Sequence, residues 1–265
     1  MVYLRSFEIL EKKDTYPLCL PVLQERICFS APVTILCGTN GCGKTTLLEI
    51  IAEISEAVRI GDEHIWKKFS EDDVLGQVRL TFSQKPLYRS YFSAENFSQY
   101  IMWLEQARDE ANAAIADIDR ACADGEVSEA VAFEMKKVHY YTLSSINEQY
   151  GSQLSQKSHG EGYMAFFKKR LHGNSLYLID EPEGALTYEN QFYLATMIMR
   201  AASEGSQFII ATHSPVLASI PNADVLMYED NTLKKARYED IADMQFLEMF
   251  MRRRKELFRQ VLGEK

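Results

Sequence analysis

Short runs of alternating or apolar residues recur at Tyr3–Leu10, Arg26–Phe29, Val33–Cys37 and Val78–Phe82. Two stronger runs follow at Ser175–Asp180 and Gln207–Thr212, both nearly continuous in apolar residues, and Val225–Glu229 adds another. Unbroken apolar runs of this length are what strands show when helices cover both faces of a parallel sheet. Helical spacing lies between them, most clearly over Tyr188–Ser203. Strands alternating with helices predict an α/β domain with a parallel or mixed central sheet flanked by helices.

The middle of the chain has a different texture. From about Ala94 to Tyr150 it is rich in Ala, Glu, Gln, Lys and Met and holds no proline. The pattern predicts one helix over Glu95–Ala123, a break at Asp124-Gly125, and a second helix over Glu126–Tyr150. Each is about 25 residues, or roughly 38 Å at 1.5 Å per residue, and the short polar turn makes them an antiparallel hairpin. The expected organisation is one domain over 1–265, with a helical insert over 96–160 and a C-terminal basic helix over 240–265. No internal repeat or low-complexity segment interrupts it.

Composition narrows the setting. A chain of 265 residues with 46% hydrophobic and 25% charged residues is an ordinary globular domain with a sizeable core. No run approaches the ~18 apolar residues a membrane span needs. The N-terminus lacks the apolar core of a secretion signal, so a cytoplasmic protein with no membrane contact is expected. Five cysteines without a C-x-x-C pair argue against a zinc site or a disulfide framework. The net charge of −9 counts against broad nucleic-acid binding but leaves room for a local basic surface. Arg252, Arg253, Arg254, Lys255 and Arg259 form one candidate, with a solvated helix as the alternative.

The chemistry begins at Ile35–Ala52, ILCGTNGCGKTTLLEIIA. Residues Gly38 to Thr45 fit G-x-x-x-x-G-K-[ST], with an apolar run before and a helical pattern after, the context this loop requires. Gly38, Gly41 and Gly43 allow the tight turn that aims backbone N–H groups at phosphate oxygens. Lys44 would reach the β- and γ-phosphates and Thr45 would ligate Mg²⁺. Cys42, inside the loop, reads as a small tolerated side chain or as an oxidation-sensitive one. The run SLYLIDEP ends in Asp180, placed for Mg²⁺, and Glu181, placed to activate water. In FIIATHSP, His213 follows another apolar run at the same expected sheet edge and could meet a γ-phosphate. Ser158 precedes a helical pattern. With Glu161 it fits a capping box, and it equally fits a phosphate-binding helix start; the spacing does not choose.

Taken together, these motifs resemble the ATP-binding-cassette (ABC) ATPases. GTNGCGKT is similar to the Walker A loop, LYLIDEP to the Walker B strand with its catalytic glutamate, ATHSP to the switch-histidine loop and SHGEG to a divergent signature. More narrowly the chain resembles small single-domain bacterial AAA-family ATPases carrying S-H-G-E and D-E-P-E, relatives of the RecF and SMC class, some of them found in phage defence. The resemblance implies ATP and Mg²⁺ as ligands. Gly38, Thr39, Asn40, Gly41, Cys42, Gly43, Lys44, Thr45 and Thr46 would hold ATP, and Thr45 and Asp180 the metal. Glu181, His213 and Lys44 would be catalytic. Ser158, His159, Gly160 and Glu161 would act in trans, so that a head-to-tail homodimer sandwiches two ATP molecules.

Departures from that pattern leave questions open. The signature lacks Leu-Ser-Gly-Gly-Gln, and Thr187 stands where transporters usually carry aspartate. Gln84 and Glu95 both compete for the metal-sensing glutamine position, with Glu95 preferred because it precedes the helical insert. Tyr16 is the candidate for stacking on adenine, with a core tyrosine as the alternative. The implied role is a switch read by a protein partner, a nuclease, toxin or nucleic-acid-processing factor, with DNA as a further candidate. Two other readings stand beside it: the energising subunit of a membrane transporter, and a non-turnover ATP-binding scaffold. No N-K-x-D guanine reader is present.

Overall fold

Residue alternation within the central strands divides the core in two. In the computed structural model, residues 1–11, 13–60, 69, 74–150, 159–229 and 232–262 are described. Strands β1 (Leu4–Ile9), β2 (Ile27–Cys28) and β5 (Val78–Phe82) form an antiparallel sheet in the order β2-β1-β5. Strands β3 (Val33–Gly38), β4 (Val58–Ile60), β6 (Tyr88–Ser93), β7 (Ser175–Asp180), β8 (Gln207–Ala211), β9 (Asp224–Glu229) and β10 (Thr232–Ala236) form the main sheet. Its order is β10-β9-β3-β8-β7-β6-β4, parallel throughout except for β10 against β9. Leu36, Leu178 and Ile209 face helix α1 (Lys44–Ile54), packing with Leu47, Ile50 and Ile51. Their neighbours Ile35, Ile179 and Ile210 face the other way, onto α4 (His159–Arg170) and α5 (Tyr188–Ser203). The Gln207 side chain binds the two sheets together, accepting from Tyr3 N and Leu4 N at 2.8 Å each.

Three strands were not expected, for physical reasons. The β6 run YRSYFS buries only its second half, so its first half reads as loop. The β10 run TLKKA is a lysine-bearing edge strand, and β4 has only three residues.

Helices α2 (Ala94–Ala123) and α3 (Glu129–Tyr150) form the hairpin, turning where Gly125 takes φ 74°, a conformation that favours glycine. Lys136 Nζ lies 2.6 Å from Asp119 Oδ1, and Arg108 Nη2 donates to Asn147 Oδ1 at 3.2 Å, so the helices run antiparallel. The boundary expected at residue 96 falls inside the core: Ala94, Phe97, Ile101 and Leu104 pack with Phe92, Tyr163 and Phe166. The second helix starts three residues later than expected. The short α6 (Pro215–Ala218) and the C-terminal α7 (Ala242–Leu262) complete the chain, and α7 breaks helical geometry at Arg253.

Candidate functional site

The C-terminal ends of β3, β7 and β8 adjoin one another in the sheet, and each delivers part of one constellation. After β3 the chain passes Gly38, Gly41 and Gly43, all at positive φ. At Gly43 (φ 103°) a Cβ would also sit 2.8 Å from Val22 Cγ1, so both the backbone and the space exclude a side chain. Gly43 caps α1 without any side-chain hydrogen bond, leaving the first helical amides to an anion. Lys44 is buried, and its Nζ donates to Gly38 O at 2.9 Å and Thr39 O at 3.2 Å, with Cys42 Sγ at 3.9 Å. Carbonyls of the loop thus hold the ammonium in the place where phosphate oxygens would compete for it.

Thr45 Oγ1 donates to Asp180 Oδ1 at 3.2 Å, joining loop and β7. Burial pushes the Asp180 carboxyl up to about 7. The carboxylates of Glu181 and Glu49 add to the rise, and the Thr45 hydroxyl and Lys44 oppose it. A hydroxyl beside a desolvated carboxylate is a donor set that suits a hard divalent cation. Among the described residues no three His, Cys, Asp or Glu side chains are grouped to hold a metal unaided. Mg²⁺ fits such a place, since it takes one or two protein oxygens and completes its shell with water and phosphate.

Glu181 adopts φ 45°, ψ 49° just before the 3₁₀ turn Pro182–Ala185, and its N–H donates to Ala211 O at 2.9 Å. A left-handed glutamate is uncommon, and here it turns the half-exposed side chain towards the phosphate loop. His213 Nε2 lies 4.0 Å from Glu181 Oε1 and is buried without a hydrogen-bond partner. A cavity of about 460 Å³ is lined by Asn40, Lys44 and Thr45 of the loop region together with Glu181, His213 and Tyr16. A second, of about 710 Å³, is lined by Thr45, Asp180, Glu181, Glu95, Asn96 and Arg59. Glu95 therefore opens onto the same two metal-site candidates. Gln84 lies just past β5 of the smaller sheet and lines neither cavity.

One carboxylate escaped the motif reading. Glu183 accepts from Thr212 Oγ1 at 2.7 Å and from the His213 N–H at 2.5 Å, so it positions the histidine loop from the turn after β7. As the second Glu of D-E-P-E it stands in plain view in the sequence, but its partner thirty residues on does not. Gln191 of α5 extends the frame, accepting from Ser214 Oγ at 2.7 Å and donating to Leu186 O at 2.9 Å. The helix α4 begins at His159, directly after Ser158; Ser158 itself, and the side chains of His159 and Glu161, lie outside the described residues.

A family model described as "AAA domain, putative AbiEii toxin, Type IV TA system" matches residues 150–219, the stretch with Asp180, Glu181, Glu183 and His213. A second, described as "AAA domain", matches residues 20–54, the stretch with the phosphate loop. The ABC-type transporter kk1G of Curvularia clavata is 29% identical over 206 residues, 73% of this chain, and the chain spans 13% of that relative's length. A nucleotide-free ATP-binding cassette from an ABC transporter has a TM-score of 0.48 at 15% identity, covering 94% of this chain and 96% of its own. An Smc head domain from Pyrococcus furiosus, bound to the C-terminal domain of ScpA, has a TM-score of 0.45 at 14% identity, covering 95% and 100%.

Proposed function

We propose that this chain, whose fold and motif order are those of an ABC-type, SMC-like P-loop ATPase, binds Mg·ATP, hydrolyses it slowly and uses ATP-dependent head-to-tail dimerisation as a switch for a partner. The observation that carries the reading is the junction of three strand ends: Lys44 and Thr45 from one, Asp180 and Glu181 from the second, His213 from the third. Lys44 gives its ammonium to the phosphates in exchange for the loop carbonyls. Thr45 and Asp180 hold Mg²⁺, which neutralises phosphate charge when bound. Glu181 accepts the proton of the attacking water, and the orphan Nε2–H of His213 donates to a γ-phosphate oxygen.

The site in one copy is open, which favours completion by a second copy. The residues for that are Ser158, which lies outside the described residues, and His159, Gly160 and Glu161, which open α4. In a dimer of this kind, specific activity per chain rises with protein concentration below the dimer dissociation constant. A phosphate-release assay over a hundredfold dilution checks this; a flat specific activity would place the whole reaction within one copy.

Glu183 supplies a second test. Glu183→Gln keeps the shape but replaces one acceptor oxygen by a donor, so either Thr212 or His213 loses a charge-assisted bond worth ~1.5–3 kcal/mol. We expect kcat to fall about tenfold or more with little change in KM for ATP. An unchanged kcat would remove Glu183 from the positioning role.

The partner we expect is a protein in defence or DNA maintenance, of the toxin or nuclease kind, a reading that leans on the toxin–antitoxin wording of the matched family. Energising a transporter is the second reading and leans on the likeness to kk1G. No helix among the described residues is long and apolar enough to cross a membrane.

A further inference from the structure

The end of α7 poses a physical problem. After the break at Arg253 (φ −123°, ψ 20°) the helix runs on to Leu262, and of residues 251–262 only Leu257 is even half-buried. A segment that short is below the ~12–15 residues at which isolated helices become marginal in water. It is also two-faced. Phe258, Val261 and Leu262 are 58–84% exposed and share one side by helical spacing, with exposed Met251 before the break. The same twelve residues carry Arg252, Arg253, Arg254, Lys255 and Arg259 against Glu256 alone.

The complementary surface is on the helical hairpin. Residues 94–150 hold eleven acidic and four basic side chains, most of the chain's −9. Around the turn the imbalance is sharpest: Asp117, Asp119, Asp124, Glu126, Glu129 and Glu134 face only Arg120 over 117–134. On α3, Val131, Met135 and Val138 form one exposed apolar flank by helical spacing, 48–67% exposed, with exposed Phe133 and Tyr140 on the opposite flank. Among the described residues of this helix, only Ala132 and Ile146 are fully buried.

We propose that residues 251–262 of one copy dock on α3 and the hairpin turn of a second copy, and that the reciprocal contact closes a two-fold dimer without nucleotide. Both surfaces are exposed within a single chain. The strands that lead into them, β10 and β6, stand five places apart in the sheet, ~24 Å at strand spacing. An anionic polymer or lipid surface would meet the same basic helix, but it would also meet the repulsion of a chain at −9. A second copy instead brings an acidic, apolar surface of matching sign. The reciprocal arrangement doubles a small helix-on-helix contact, raising it towards the ~1,200 Å² of stable interfaces.

The test is the solution mass of the nucleotide-free full chain by sedimentation equilibrium, at low and high salt. The wild-type chain is expected to be a dimer that weakens with salt. The triple variant Arg254→Glu, Lys255→Glu, Arg259→Glu is expected to be a monomer with an unchanged melting temperature, since these side chains lie on the surface. Adding Asp124→Lys, Glu126→Lys and Glu129→Lys to it should restore the dimer, a rescue that misfolding does not give. A wild-type chain monomeric to ~100 µM overturns the proposal. So does a dimer indifferent to the charge reversal, and so does a monomer whose α7 instead binds phosphatidylserine vesicles or a DNA duplex. All arms omit ATP, so failure here leaves the ATP-dependent dimer standing, and failure of that dimer leaves this one.

Discussion

Replacing Glu181 with Gln, in the charge-reversed α7 background that lacks the nucleotide-free contact, is expected to leave a chain that holds Mg·ATP, turns it over at least a hundredfold more slowly and runs at twice its monomer mass only when ATP is present. The substitution keeps the size of the side chain and the left-handed backbone at φ 45°, so the loop and cavity persist. What it removes is the proton acceptor proposed beside the phosphate loop, and a positioned general base contributes ~10²–10⁴ in rate. His213 does not replace it. Its Nε2 stands 4.0 Å from Glu181 Oε1 and is better placed to donate to a phosphate oxygen than to activate water. Removing a negative charge next to Lys44 and Asp180 also relieves repulsion with the triphosphate, which favours the bound state. Lys44→Ala is the control: with the ammonium gone, neither binding nor the mass shift should survive. Light scattering and filter binding on the two variants read both quantities. Turnover at the wild-type rate in Glu181→Gln would put the base elsewhere.

The phosphate loop was legible because its chemistry is backbone chemistry. Glycines at positive φ leave a local signature, and Gly38, Gly41 and Gly43 all adopt that conformation. The runs Ser175–Asp180 and Tyr188–Ser203 were legible to the residue, since a buried strand and an amphipathic helix with Thr187 as N-cap are each announced by local pattern. Less visible were features set by distant partners. Strand β6 exists because β7 and β4 hydrogen-bond to its two sides, not because YRSYFS prefers to be extended. The bridge from Glu183 to Thr212 and His213, and from Gln191 to Ser214, needs two segments brought together by the parallel pairing of β7 with β8. The break at Arg253 has no proline or glycine to signal it. Glu95 is preferred over Gln84 because it precedes the helical insert; it lies in the first turn of α2, directly after β6 of the main sheet, whereas Gln84 follows β5 of the smaller one.

The second large effect runs in opposite directions for stability and activity. Asp180 sits 5% exposed with its carboxyl raised to about 7 from 3.8, chiefly by burial. Below about pH 4 the group is protonated in both folded and unfolded chains and costs nothing. Between about 4 and 7 the unfolded chain ionises while the folded one does not, so stability falls as pH rises, and above about 7 the full cost remains. A rise of that size corresponds to ~4 kcal/mol, at 1.36 kcal/mol for each tenfold change in proton affinity. Asp180→Asn removes that cost and keeps an oxygen for the Thr45 hydroxyl, but it buries an amide N–H₂ at ~1–3 kcal/mol. The net gain is about 2 kcal/mol, or roughly 4–8 °C in melting temperature for a chain of this size. That gain should be present at pH 8 and should fade towards pH 4.5. Mg·ATP should raise the melting temperature of the wild-type chain and not of the variant, because the charge that offsets Mg²⁺ is gone, and Mg-dependent phosphate release should be lost with it. Thermal melts of both proteins at pH 4.5 and 8, with and without Mg·ATP, separate the two effects. A variant that melts at or below the wild type at pH 8 would mean the buried carboxylate is already stabilised by its surroundings, and that the site does not wait for a cation to complete it.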